Sequence, residues 1–290
     1  MGLRLATRGS ALALAQAGRV AERLPGSRLV EVASDGTRGD KSRFVRGVEA
    51  ELLEGRADVG IHSAKDLPAE MPGGLVIAAV AEREDRADAW IGAGTSLADV
   101  PEGAKVGTAS LRRQAQLLAA RPDLRVSELH GNVDTRLAKL AAEDLDAIVL
   151  AAAGLRRLGR EGEISFLLSE DEMTPAAGQG ALALQTRGDD RAATEEVLAI
   201  SDDDAAAELD AERAVVAYLD ASCATPLGVS ARRSADRLVI DAFVGLPDGS
   251  EWLRDHVEGD PGRPVELGRE LGERLLAAGG EEILQEAERA

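Results

Sequence analysis

Leu3-Arg4-Leu5-Ala6-Thr7-Arg8-Gly9-Ser10, running on into Ala11-Leu12-Ala13-Leu14-Ala15-Gln16-Ala17, joins a short alternating run to an amphipathic one. Leu3 to Ala6 reads as a strand. Ser10 reads as the N-cap of a helix whose stripe is Leu14, Ala17, Val20, Ala21 and Leu24, and Pro25-Gly26 stops it. The pattern then repeats: a strand at 29–33, a helix at 44–54 with Val48 and Leu52 facing inward, and a strand at 57–61. This βαβαβ rhythm predicts a mostly parallel sheet covered by helices. It restarts further on, with strands at 105–107, 126–129 and 147–152 and helices from Ser110 and over 132–142. Residues 82–88 and Gly178-Gln179-Gly180 read as polar or flexible joints. After about residue 202 the plan changes to a long helix at 205–219, strands at 238–244 and 251–257, and a helix at 264–278, an α+β third domain.

The 290 residues carry a formal charge of −18 and only six aromatic side chains, which excludes a general nucleic-acid binder. The charge is uneven. Residues 101–160 hold 10 basic and 7 acidic side chains, whereas residues 161–290 hold 11 and 30. Lysine is scarce (Lys41, Lys65, Lys105 and Lys139), so the cations are almost all arginine. Such an acidic, lysine-poor composition predicts a halophilic source. The single Cys223 excludes an internal disulfide. With no leader-like start and no apolar run near the roughly 20 residues of a bilayer span, the sequence predicts a cytoplasmic protein without membrane contact.

Two strand-to-helix turns read as anion sites: Thr7-Arg8-Gly9-Ser10, and Gly107-Thr108-Ala109-Ser110-Leu111-Arg112-Arg113. Each offers free N–H groups at a helix start, a hydroxyl, and guanidinium forks that grip carboxylates. Neither matches a phosphate loop or a dinucleotide fingerprint. His62-Ser63-Ala64-Lys65-Asp66-Leu67-Pro68 follows the third strand, at the edge where open α/β sheets bind ligands. Asp66 there can stabilise a cation or pass protons. Cys223 sits in the small-residue loop Ala221-Ser222-Cys223-Ala224-Thr225-Pro226-Leu227-Gly228, a non-periodic stretch that suits an exposed, reactive thiol. His62, His130 and His256 lack metal-ligand spacing, so no metal is expected.

These segments, together with Thr37-Arg38-Gly39-Asp40, Gly131-Asn132-Val133-Asp134-Thr135-Arg136-Leu137 and Ala153-Gly154-Leu155-Arg156-Arg157-Leu158-Gly159, resemble the porphobilinogen deaminase (hydroxymethylbilane synthase) family, in family order over nearly the whole chain. The resemblance implies an α/β fold with two periplasmic-binding-protein-like lobes, built on mixed, mostly parallel sheets, and a small α+β C-terminal domain. The expected division is lobe 1 at 1–81 completed by a return segment at 181–200, lobe 2 at 86–177, and a cofactor-anchoring domain at 203–290. The implied reaction is a transferase step repeated four times: head-to-tail condensation of porphobilinogen with release of ammonia, then hydrolysis to hydroxymethylbilane.

The resemblance also implies a dipyrromethane cofactor attached through Cys223, and a catalytic role for Asp66 beside the cationic azafulvene. Cofactor carboxylates would fall to Lys65, Thr108, Ser110, Arg112, Arg113 and Arg136. Substrate would fall to Arg8, Ser10, Gln16, Lys41, His130, Arg157 and Gln179. The expected partner is the small-molecule substrate alone, and the expected state a monomer. Three departures stand out: only Lys41-Ser42-Arg43 separates Asp40 from Phe44 where the family has a long loop, His130 replaces an arginine, and Ser222 replaces a glycine. The two-lobed plan equally suits a non-catalytic binder of an anionic metabolite, which would need neither Cys223 nor Asp66.

Overall fold

Strand β1 (Arg4–Arg8) enters helix α1 (Ala11–Arg23), which Ser10 caps by accepting a hydrogen bond from the Ala13 N–H. The structure is a computed structural model that describes residues 2–32, 42–222 and 225–289, residues 42–44 by backbone alone. Lys41 and Cys223 therefore lie outside the described residues. The first lobe continues with β2 (Arg28–Val32), α2 (Ser42–Leu53), β3 (Val59–Ser63) and β4 (Leu75–Arg83). The chain crosses into β5 (Asp88–Gly92), β6 (Lys105–Gly107), α3 (Leu111–Ala120), β7 (Arg125–Ser127), α4 (Val133–Ala142), β8 (Ala147–Ala151), α5 (Ala152–Arg157) and β9 (Phe166–Leu167). It returns through β10 (Ala181–Arg187) and α6 (Arg191–Leu198). The remainder is α7 (Asp203–Tyr218), β11 (Leu227–Ser234), β12 (Arg237–Gly245), β13 (Trp252–Gly259), α8 (Pro264–Leu275) and α9 (Glu281–Ala287).

The first sheet has the order β2-β1-β3-β10-β4 and the second β7-β6-β8-β5-β9. In each, four strands run one way and one runs against them: β10 in the first and β5 in the second. Each reversed strand is the first one formed after a crossing between lobes. The sheets are thus mixed and mostly parallel, as expected. The third sheet, β11-β12-β13, is an antiparallel meander packed on α7 and α8.

Fully buried Leu5, Leu182 and Leu184 anchor the first core, and Trp90, Val106 and Leu117 the second. Each such large apolar side chain stabilises the fold by about 1.5–3 kcal/mol before entropy is counted.

The sequence reading missed β4, β5, β9, β10 and β11. β10 is Ala-Leu-Ala-Leu-Gln-Thr-Arg, buried on both faces, so it shows no alternation. Its residues favour helix, and only pairing with β3 and β4 decides the strand. β4 is a nearly continuous apolar run that periodicity cannot tell from a buried helix. The joint expected at 82–88 is shorter, because Glu82 and Arg83 end β4 and Asp88 begins β5.

The crossings touch. Gly180 has φ +88° and a Cβ there would lie 2.1 Å from the Glu84 carbonyl oxygen, so only glycine lets the two backbones meet. Helix α7 ties both crossings down. Glu212 receives Arg83 Nη2 at 2.7 Å and the Gly178 N–H at 2.6 Å, while Glu208 receives Arg86 Nη2 at 3.0 Å. Glu212 also accepts the Ala231 N–H of β11 at 2.7 Å, so the first sheet, the return crossing and the third sheet meet on one buried carboxylate. A buried charge persists only when it is paired and hydrogen-bonded this fully. Among the described residues, no helix is long and apolar enough to cross a membrane.

Candidate active site

The carboxyl-terminal ends of β1, β3, β7 and β8 face one cavity of about 240 Å³. From the first lobe it takes Arg8 and Ser10 beside α1, Gln16 on α1, and Ser63, Lys65 and Asp66 after β3. From the second it takes Arg113 on α3, Asn132 and Arg136 at the start of α4, and Arg157 at the end of α5. Five cations (Arg8, Lys65, Arg113, Arg136, Arg157) meet two carboxylates, Asp66 and Asp134. Asp134 is itself engaged by Arg160 at 3.0 Å. A protein of charge −18 therefore keeps a positive cleft.

Asp66 lies in a short 3-10 turn (Ala64–Asp66) directly after β3. Its side chain is 29% exposed and Oδ2 is 4.0 Å from Arg8 Nη1. The Lys65 ammonium donates to Gln179 Oε1 at 3.2 Å. Gln16 donates to the Ser63 hydroxyl at 2.7 Å, which ties α1 to the same turn.

Burial makes the positive charge of the site costly to hold. It pushes the Arg136 guanidinium down to about 10, helped by neighbouring Arg113 and opposed by Asp66. Arg136 Nε is buried without a hydrogen-bond partner, and Arg136 makes no ion pair among the described residues. Burial likewise lowers Arg8 against the pull of Asp66, and Arg157 against Glu82. A partly desolvated cation with no ion pair among the described residues, as Arg136 is, attracts an anionic ligand.

Eight of the expected residues line this cavity: Arg8, Ser10, Gln16, Lys65, Asp66, Arg113, Arg136 and Arg157. Five do not. Arg112 is 4% exposed, with Nη1 2.7 Å from Asp88 Oδ2 and donating to the Thr174 carbonyl at 2.6 Å. Thr108 is buried, its hydroxyl accepting the Ser110 N–H at 3.2 Å. Ser110 holds the N-cap position of α3, but its side chain makes no capping bond there, contrary to the sequence reading. His130 is exposed, with Nε2 2.6 Å from Glu128 Oε1, so it faces solvent rather than the cavity. Gln179 stands just behind the cavity wall, reaching it through Lys65.

Two lining arginines are already partnered. Arg113 gives Nε and Nη2 to Asp88, and Arg157 gives Nη2 to the Gly180 carbonyl at 2.7 Å and to Glu82 at 3.3 Å. The sequence reading missed Ser63, Asn132 and Asp88. Asn132 was legible as an N-cap, and it does accept the Thr135 N–H at 2.8 Å. Nothing local marks Asp88, a carboxylate that opens a buried apolar strand.

Behind the site His62 is buried, hydrogen-bonded to Gln185 at 3.0 Å, and Gln185 donates onward to Glu49 at 3.2 Å. Burial pushes the imidazole down to about 4, with the Gln185 bond opposing. The folded value lies below the unfolded 6.5, so only the unfolded chain takes up a proton in that window. Stability is complete above pH 6.5 and falls by up to about 3 kcal/mol as pH drops through 4. Urea denaturation of His62→Gln at pH 7 and 4.5 should show a smaller loss than the parent. Parallel losses would mean that His62 does not carry this step.

The chain matches two family descriptions. Residues 3–195 match "Porphobilinogen deaminase, dipyromethane cofactor binding domain", and residues 206–277 match "Porphobilinogen deaminase, C-terminal domain". It is 41% identical to the porphobilinogen deaminase of Trichlorobacter lovleyi, covering 98% of this chain and 96% of that one. It is 43% identical to that of Thiobacillus denitrificans, covering 97% of each. An ABC transporter structure from Parabacteroides distasonis overlays on 69% of this chain and 71% of its own, at 10% identity and a TM-score of 0.43. A score this low adds nothing to the two-lobe description, which rests on the sheet order itself. Matched in both parts and along nearly its full length, the chain belongs to the porphobilinogen deaminase family.

Proposed function

We propose that the chain condenses four porphobilinogen molecules head to tail with loss of ammonia and releases hydroxymethylbilane. The observation that carries this is the cavity itself: with Asp134 engaged by Arg160, Asp66 is set among cations of which Arg136, its Nε buried, makes no ion pair among the described residues. A substrate bearing an acetate and a propionate on each ring needs such a wall of cations. A growing chain of these rings needs more than one. The proposed division of labour uses lobes 1–81 with 181–200 and 86–177 to form the cleft, and 203–290 to present Cys223.

The residues fit a dipyrromethane. Arg8, Lys65 and Arg136 would take its carboxylates, with Arg113 behind them. When bound, the group supplies the terminal pyrrole carbon to which substrate is joined. Asp66 does the rest of the chemistry assigned to side chains here. Its negative charge favours the cationic pyrrole-methylene left when ammonia departs, and its oxygens accept pyrrole N–H groups. Thr108, Ser110 and Arg112 support the Arg113 turn from behind, and Lys41 lies in the short segment before α2. The proposed setting is the cytoplasm, as a monomer, which sedimentation at working concentration checks.

Incubation with porphobilinogen should release one ammonia for each substrate consumed. Binding of substrate without ammonia would favour the alternative, a two-lobed binder of an anionic metabolite. The same assay and a melting curve in rising KCl test the halophilic reading. Activity and melting temperature should both climb from about 0.1 to about 2 M salt, as acidic self-repulsion is screened. A fall in both would overturn that reading.

A further inference from the structure

Asp88, the first residue of β5, is fully buried and stands at the centre of a polar chain that crosses between the lobes. Its Oδ1 accepts from Arg113 Nε at 3.0 Å and Nη2 at 2.7 Å, and from Gln179 Nε2 at 3.1 Å. Its Oδ2 lies 2.7 Å from Arg112 Nη1. The same Gln179 nitrogen donates to the Arg86 carbonyl at 2.7 Å, and the amide oxygen accepts from Lys65 Nζ at 3.2 Å. The contact is close-packed: a Cβ on Gly178 would lie 2.8 Å from the Lys65 backbone nitrogen.

Only one orientation of the Gln179 amide satisfies these neighbours. Turned over, its oxygen would meet a carboxylate and a carbonyl, and its NH₂ would meet an ammonium. We propose that Asp88 is a positioning residue for Lys65: by accepting from Gln179 it turns the amide oxygen toward the Lys65 ammonium and holds that cation at the cavity, in the same turn as Asp66. The inference rests on the reading of Lys65 as a residue that receives ligand carboxylates, those of incoming substrate as well as those of the dipyrromethane.

A carboxylate suits this place better than a neutral group. It offsets two buried guanidiniums, and its Oδ1 accepts from the amide as well as from Arg113. Burial alone would raise its carboxyl, but the Arg112 and Arg113 charges hold it well below the usual carboxylate range.

Steady-state kinetics of the cofactor-loaded enzyme test this with Asp88→Asn, Gln179→Met, Lys65→Met and the two double variants that include Lys65→Met. Asp88→Asn and Gln179→Met should each raise KM about tenfold while kcat changes by about threefold or less. In the Lys65→Met background, where KM is already raised, each should add less than about a factor of two. Effects that add in full to Lys65→Met, or single variants with unchanged KM, would overturn the positioning role while leaving Lys65 as a ligand residue. Lys65→Met with unchanged KM would overturn both. Asp88→Asn leaves two buried guanidiniums short of charge and is the variant at risk of not folding. Gln179→Met leaves the Asp88–guanidinium contacts in place and decides the matter by itself.

Discussion

Asp66→Asn should leave a folded protein whose turnover with porphobilinogen falls by about 10²–10³-fold, the usual cost of removing a charge aimed at a transition state. The substitution keeps the shape of the side chain and most of its hydrogen bonding. It removes the negative charge, which is the property that a departing ammonia and a cationic ring require. Asp66 is partly exposed in a turn and 4.0 Å from Arg8, so the fold does not depend on it. The measurement is ammonia release at saturating substrate, with a melting curve alongside. Turnover near the parent value, or a large fall in melting temperature, would remove Asp66 from the chemistry.

Cys223→Ser should abolish turnover altogether. Cys223 is the single thiol of the chain, so a thioether anchor has one place to form. A serine hydroxyl, far less nucleophilic than a thiolate, does not replace it. The parent should weigh more than its polypeptide by a two-pyrrole adduct and stain with a pyrrole-reactive aldehyde. The variant should run at its polypeptide mass and stay colourless. An adduct on the variant would place the anchor elsewhere.

How much was readable beforehand follows from where each signal resides. Ser10 as a cap, the α1 stripe and the buried β8 run are local patterns, and they appear where periodicity put them. β10 was not readable, because its alanines and leucines become strand only through neighbours more than a hundred residues away. The site divides in the same way. Arg8, Lys65, Asp66 and Arg136 sit at strand ends or helix starts, where sequence order already points to a cleft. Arg112 and Arg113 share one motif and both lean on Asp88, yet Arg112 also donates to the Thr174 carbonyl and leaves the cavity to Arg113. That choice turns on a carbonyl far along the chain, which no spacing rule reveals. His130 stays outside the cavity for the converse reason, since its partner Glu128 is two residues away and solvent lies on its other side.

The placement of β10 has a consequence for how the chain is made. Every strand of the second sheet falls between residues 88 and 167, so that sheet is complete once this stretch has left the ribosome. The first sheet begins with the first strand synthesised, yet β10 is wedged between β3 and β4 and arrives only with residues 181–187. Until then β3 and β4 present open edges, the kind of surface that invites wrong pairing. The lobe that starts first is therefore the last to have all its strands, and every strand of the later-born sheet has been made before the return strand comes back.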